Sequence, residues 1–363
     1  AQNLVDSGWL WQSNLEGDGY RYTGSGTKCS YNDGAYTLYS YECPTLYNYT
    51  RTTISSGATN NYAYRTSCPS NTSEYTYSCT ELSATSFDSS NVPRNFICFG
   101  TTDKTECTAN QDKYMYRVIG VFSDSNGNNH VKLIKYKQLG SYAWNANYQT
   151  DISWENSDMY KGLNGSYFLS NTAYDYLQNT EWSNKIENWT WSAVNTKSDD
   201  DYFNNPSYDE SSPKGIYLNE MHKTSSEKIC MSKSCESIYC NYGAWTTPSA
   251  KIGLMYVSDY ALSLGSSALA ITVGTKDNEA TLKTGWMHQN NNDTTKNTWE
   301  WTLSRTGGDS GYFDAWSVGN GGQINSLSVS SAHGVRPVFY LTNDVKITSD
   351  GTGSLENPFI ISE

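Results

Sequence analysis

YMYRVIGVFSDSNGNNHVKLIKYKQL, residues 114–139, reads as two strands joined by a tight turn. The runs 114–122 and 130–139 are rich in Val, Ile, Leu, Tyr and Phe, side chains that suit a pleated, half-buried surface. Between them, Asn126-Gly127 is the dipeptide that best tolerates the left-handed backbone of a short hairpin turn. An antiparallel hairpin is therefore expected here.

Upstream, TLYSYECPTLYNYTRTTI and EYTYSCTEL alternate polar and apolar residues, as strands with one wet face do. Downstream, residues 166–191 carry Phe168, Tyr174, Leu177, Trp182 and Ile186 at spacings of three and four, the pattern of two short helices. KIGLMYVSDYALSL (251–264) starts as a buried strand and turns helical after Ser258, a residue type that caps helix N-termini. The stretches NSLSVSSAHGVRPVFYL and VKITSDGTGSLENPFII are strand-like again, with a hairpin at Asp350-Gly351. Short antiparallel strands, two or three short helices and long loops make an α+β fold, not alternating βαβ units.

Composition narrows the function classes. The chain has 363 residues with 30 Tyr and 12 Trp, and it carries a net charge of -12 with no clustering of its 25 Lys and Arg. A nucleic-acid surface needs such a basic patch, so nucleic acid is not an expected partner, and an anionic membrane is disfavoured for the same reason. No apolar run is long enough to span a bilayer. The opening AQNLVDSGWLWQ has no signal-peptide pattern and reads as a mature or trimmed ectodomain.

Nine cysteines fall at Cys29, Cys43, Cys68, Cys79, Cys98, Cys107, Cys230, Cys235 and Cys240, without zinc-ligand spacing. Disulfides in an oxidising compartment are the better reading, paired between neighbours as Cys29–Cys43, Cys68–Cys79 and Cys98–Cys107. The odd count leaves one of the late three free or joined to another chain.

NFICFGT (95–101), YRVIGVF (116–122), VKLIKYKQLGSYAWN (131–145), KIGLMYVSDYALS (251–263), WEWTLSR (299–305), GVRPVFYL (334–341) and DGTGSLENPFII (350–361) together resemble an extracellular domain family. It occurs in surface proteins of gut Gram-positive bacteria, often behind prepilin-type leaders. The resemblance covers 95–363 plus GDGYRYTG (17–24). It implies residues 1–27 as a segment joining the domain, 28–92 as a Cys- and Tyr-rich inserted β region, and 93–363 as a C-type-lectin-like domain. It also implies a distant relation to the variable proteins of diversity-generating retroelements, whose last segment holds an exchangeable binding surface on a fixed scaffold. The corresponding segment is 305–338. There the apolar framework residues Phe313, Ala315, Val318, Ile324, Leu327, Val329 and Val335 are interleaved with polar ones.

Enzyme motifs are missing. None of the four histidines (His130, His222, His288, His333) lies in a metalloprotease pattern, and there is no nucleophile elbow, phosphate-binding loop or dinucleotide fingerprint. The chain is read as non-catalytic and without a cofactor. A single structural calcium ion stays compatible with the acidic run Asp199, Asp200 and Asp201 and with the loop 124–129, although Asn129 and Lys135 stand where a calcium-binding loop of EF-hand type needs Gly and Glu.

The expected role is therefore an adhesin-like, ligand-binding display protein at the cell surface or on a surface appendage such as a pilus, with a protein or a glycan as partner. The binding residues expected from the segment are Tyr312, Asp314, Trp316, Ser317, Asn320, Gln323, Asn325, Ser326, Ser328, Ser330, Ser331 and His333. Such side chains combine aromatic contact area with adaptable hydrogen bonding. For Trp316, display and core placement are both open. Trp299 and Trp301 are expected to serve opposite layers, and Arg336 to pair with a buried carboxylate or with carbonyls. The alternatives are a filament subunit that carries this domain as its head, self-assembling into a fibre, and, behind it, an enzyme acting on cell wall or glycans.

Overall fold

The computed structural model describes residues 11–13, 20–22, 29–32, 37–40, 46–65, 68–82, 84–86, 94–124, 126–146, 154–165, 180–191, 195–196, 248–263, 286–288, 299–306, 314–319, 321–348 and 351–362. It is a mixed α+β molecule, mostly strands with a few short helices. The hairpin read from 114–139 is its organising element. Strands β10 (Met115–Ser123) and β11 (Asn129–Lys135) pair antiparallel from Tyr116↔Lys135 to Ser123↔Asn129. The turn between them is closed by Asp124, whose Oδ1 accepts from the backbone N–H of Asn126 and of Asn128, both at 2.8 Å. Gly127 takes the positive φ of 82° that the sequence anticipates there.

Both faces of the hairpin are covered. From Met115 to Phe122 every residue is buried, which is why the run is nearly continuously apolar instead of alternating. On one edge of β10 sit, end to end, β9 (Phe96–Cys98) and β2 (Tyr20–Tyr22). Strand β2 also pairs with β1 (Trp11–Ser13), and β9 with β21 (Phe359–Ile360) in parallel. On the far side of β11 lies β20 (Val338–Tyr340), completing a seven-stranded sheet that holds residues from both ends of the chain. The rings of Phe99, Tyr116, Trp182 and Phe339 meet against it at centroid distances of 4.8–5.8 Å.

Buried polar groups in this sheet find partners. Arg117 donates from Nε to Asn95 Oδ1 (2.9 Å) and from Nη1 to the Trp286 carbonyl (2.7 Å). Lys135 donates to the Lys113 carbonyl at 2.7 Å, and burial pushes its amine down to about 7.

Among the described strands, those between residues 29 and 86 pair only with one another. One three-stranded sheet holds β3 (Cys29–Asn32), β4 (Thr37–Ser40) and β8 (Ala84–Ser86); the other holds β5 (Leu46–Thr53), β6 (Thr59–Arg65) and β7 (Tyr75–Leu82). Cys68–Cys79 and Cys98–Cys107 form the two disulfides among the described residues, as neighbour pairing anticipates. Cys43, Cys230, Cys235 and Cys240, and with them the expected Cys29–Cys43 bond and the odd thiol, lie outside the described residues. So do Phe168, Tyr174, Leu177 and Asp199–Asp201. Among the described residues no helix is long and apolar enough to cross a membrane.

The helices are short. Helix α1 (Lys104–Ala109) is capped by Asp103, whose carboxylate accepts from Thr105 and Glu106 N–H; α2 (Gln111–Tyr114) leads straight into β10. Ser157 caps α3 (Asp158–Asn164), and α4 (Thr180–Asn184) buries Trp182. Helix α5 (Val257–Ser263) corrects the expectation for Ser258. The helix begins at Val257, two residues earlier than a Ser258 cap would start it, and the Asp259 carboxylate accepts the Tyr256 N–H at 2.9 Å, the backward half of a capping box.

Candidate functional site

Described residues of 305–338 belong to a second sheet. β12 (Ser141–Ala143), β19 (Ala332–Gly334), β16 (Glu300–Thr306), β17 (Asp314–Val318) and β18 (Ile324–Ser328) follow in that order, with β14 (Asn195–Thr196) also on β16. A two-stranded ribbon of β13 (Trp189–Thr190) and β15 (Ser249–Ala250) lies apart from it. Directly opposed residues share a face of a sheet. Registers Trp301↔Ser317↔Asn325 and Ala315↔Leu327 define one face; Glu300↔Val318↔Ile324, Trp316↔Ser326 and Asp314↔Ser328 define the other. The expected binding residues are therefore split between two faces.

On the first face, both Trp rings look toward His333, at centroid distances of 4.7 Å for Trp301 and 6.5 Å for Trp299. This corrects the expectation that the two tryptophans serve opposite layers: residues two apart on a strand share a side. Trp301 is fully buried and donates from Nε1 to the Tyr142 carbonyl at 2.9 Å; Trp299 is half-buried. Gln323 lies against Trp299 and Gly319, so closely that a Cβ on Gly319 would sit 2.8 Å from the Gln323 amide. Ser317 donates to the Asn325 carbonyl at 3.1 Å. Neither ring nitrogen of His333 has a hydrogen-bond partner among the described residues, and burial holds the imidazole down to about 4, so it is neutral near pH 7.

The second face carries a buried ion pair. Arg336 donates from Nε to Glu300 Oε1 and from Nη2 to the Met287 carbonyl, both at 2.7 Å, which is the buried carboxylate pairing read from GVRP. Burial pushes the Glu300 carboxyl upward, while the Arg336 guanidinium and the Gln138 amide at 3.5 Å pull it back. Tyr260 closes the cluster by donating to the Gly322 carbonyl at 2.8 Å, its hydroxyl pushed well above its ordinary value by burial. Gly334 is required here for space, not for an unusual φ: a Cβ would stand 2.1 Å from Gln138 Cδ.

Three expected binding residues are interior and are corrected. Trp316 (1 % exposed), Ser317 (0 %) and Gln323 (4 %) are framework, because β17 is flanked on both edges and β18 folds its start back over Gly319. Asp314, Asn325, Ser328, Ser330 and His333 are half-buried and Ser331 is exposed. Ser326 lies opposite Trp316 in β18, while Tyr312 and Asn320 lie outside the described residues. Of the apolar framework, Ala315, Val318, Ile324, Val329 and Val335 are buried and Leu327 is half-buried; Phe313 is outside the described residues. Sequence reasoning passed over Gln138 and Glu300, which pack beneath the segment; the alternation WEW was the available signal.

No protein family, no curated protein and no solved structure matches this chain.

Among the described residues there is no group of three His, Cys, Asp or Glu side chains placed to hold a metal ion. Asp124 spends both oxygens on its own loop, on the Asn126 and Asn128 N–H groups and on Asn128 Nδ2 at 3.0 Å, which draws its carboxyl down to about 2.

Proposed function

We propose that this chain is an extracellular, non-catalytic display protein of adhesin type, with a C-type-lectin-like fold that presents β18 and the β18–β19 turn to a protein or glycan partner. The observation that carries the reading is the division of labour within 314–338. Trp316, Ser317, Val318, Gln323, Ile324, Val329 and Val335 are inside, whereas Asn325, Ser328, Ser330, Ser331 and His333 keep contact with solvent. Exposed positions on a framed edge strand exchange at little cost to stability, as a variable binding surface requires. Strand β18 ends the sheet and pairs with β17 alone among the described strands. The Cys68–Cys79 and Cys98–Cys107 bonds support an oxidising, extracellular setting. Resemblance to retroelement variable proteins adds the expectation that diversity concentrates at these outward positions.

The test is a glycan array run beside a display library of cell-surface proteins, probed with the wild type and with an Asn325→Ala, Ser330→Ala, Ser331→Ala triple variant. Binding by the wild type that the folded triple variant loses supports the reading. Binding that survives in that variant places the site elsewhere, and no binding in either screen removes the adhesin role.

A further inference from the structure

The most unusual chemistry in the molecule lies away from the display segment. Lys132, on the central strand β11, and Asp259, on α5, meet with Nζ 2.6 Å from Oδ2, and their side chains are 1 % and 0 % exposed. Aromatic rings enclose the ammonium: Tyr256 at 4.5 Å, Tyr340 at 5.2 Å, Phe122 at 5.3 Å and Trp191 at 5.9 Å from its nitrogen. Ion pairs sealed this completely in apolar surroundings gain little stability as ions, because the lost hydration offsets the Coulomb attraction. Transfer of one proton across the single hydrogen bond between them gives the neutral pair, an amine and a carboxylic acid.

We propose that Lys132 and Asp259 are joined by an amide bond between Nζ and Cγ, formed within the folded chain. The balance closes within the pair. One ammonium proton passes to Oδ2, and the freed lone pair attacks Cγ. The Cγ–Oδ2 bond then breaks, and Oδ2 leaves as water with that proton and a second one from Nζ. No oxidant, nucleotide or further reactant is required. Oδ2 is set up as the leaving oxygen, because it accepts both the Lys132 ammonium and the Tyr256 N–H at 2.9 Å. Fixed contact of the two groups supplies the effective concentration that condensation needs, and the closed aromatic wall keeps out the water that drives the reverse reaction. The product ties β11 to α5 across 127 residues of sequence, a covalent brace at the heart of the larger sheet. This inference is independent of the binding role.

Intact-mass measurement on the full chain, denatured and with every disulfide reduced, decides it. The expected mass is that of the sequence less one water, with a proteolytic fragment in which the peptides bearing Lys132 and Asp259 are linked. A Lys132→Met variant should show its full sequence mass and migrate more slowly than the wild type in a reducing, denaturing gel. Because the wild-type mass is read on unfolded protein, the test does not depend on that variant folding. A wild-type mass equal to the sequence mass, or a missing water mapped to another pair, overturns the proposal.

Discussion

Replacing Glu300 with Gln is the sharpest probe of the framework under the display segment. The substitution keeps the side-chain volume but leaves the Arg336 guanidinium, 2 % exposed, with no counter-charge at its Nε contact of 2.7 Å. Removing one partner of a buried ion pair costs about 3–5 kcal/mol, because the remaining charge stays desolvated and uncompensated. For a domain of this general size that is a fall in Tm of about 6–20 °C. Calorimetry or circular-dichroism melting on purified protein reads it directly. The double variant Glu300→Leu, Arg336→Met separates charge from packing: apolar groups of similar volume remove both ions, so it should melt above Glu300→Gln. A Glu300→Gln protein that melts with the wild type, or a double variant less stable than the single one, would refute the reasoning that this pair clamps β16 to the 334–338 stretch.

Two further perturbations concern the same sheet. Gly334→Ala puts a Cβ 2.1 Å from Gln138 Cδ, so overpacking should destabilise by about 1–3 kcal/mol, and Gln138→Ala in the same chain should return part of it, as denaturant titration would reveal. His333 is depressed from 6.5 to about 4 by burial. Its imidazole therefore contributes stability that is complete above pH 6.5 and is lost as pH falls toward 4, the range in which the unfolded chain takes up a proton that the folded one refuses. A His333→Asn variant should show a flatter dependence of Tm on pH across that window than the wild type; an unchanged slope would assign the acid sensitivity to other groups.

Much of the fold was legible because local chemistry and tertiary context agree. In 114–139 the turn dipeptide, the β-rich flanks and the burial of both faces all point to one hairpin. Neighbouring cysteines at 68 and 79, and at 98 and 107, pair because each short loop brings its ends together. Where reading failed, the reason is two-sided burial. Ser317 and Gln323 look like surface residues by type, yet β17 is flanked by β16 and β18 and covered on both faces, so polarity no longer marks exposure. Trp316 could not be assigned from its polar neighbours, since its burial depends on the pairing with Ser326 and on the layer beneath. Lys132 and Asp259 were invisible for a similar reason: each sits in an ordinary amphipathic context, and only the packing of α5 on the sheet brings them together. The need for glycine at 334 was equally invisible, because a close approach by Gln138 cannot be seen in sequence.

The central claim is that the solvent-facing positions of β18 and its following turn carry ligand contact while the residues beneath only hold them in place. Its most direct measurement is the affinity of the recovered partner for the Asn325, Ser330 and Ser331 alanine variants, each checked for an unchanged Tm. The account predicts a loss of about tenfold or more in combination, equivalent to roughly 1.4 kcal/mol. Wild-type affinity in a triple variant that is fully folded would contradict it.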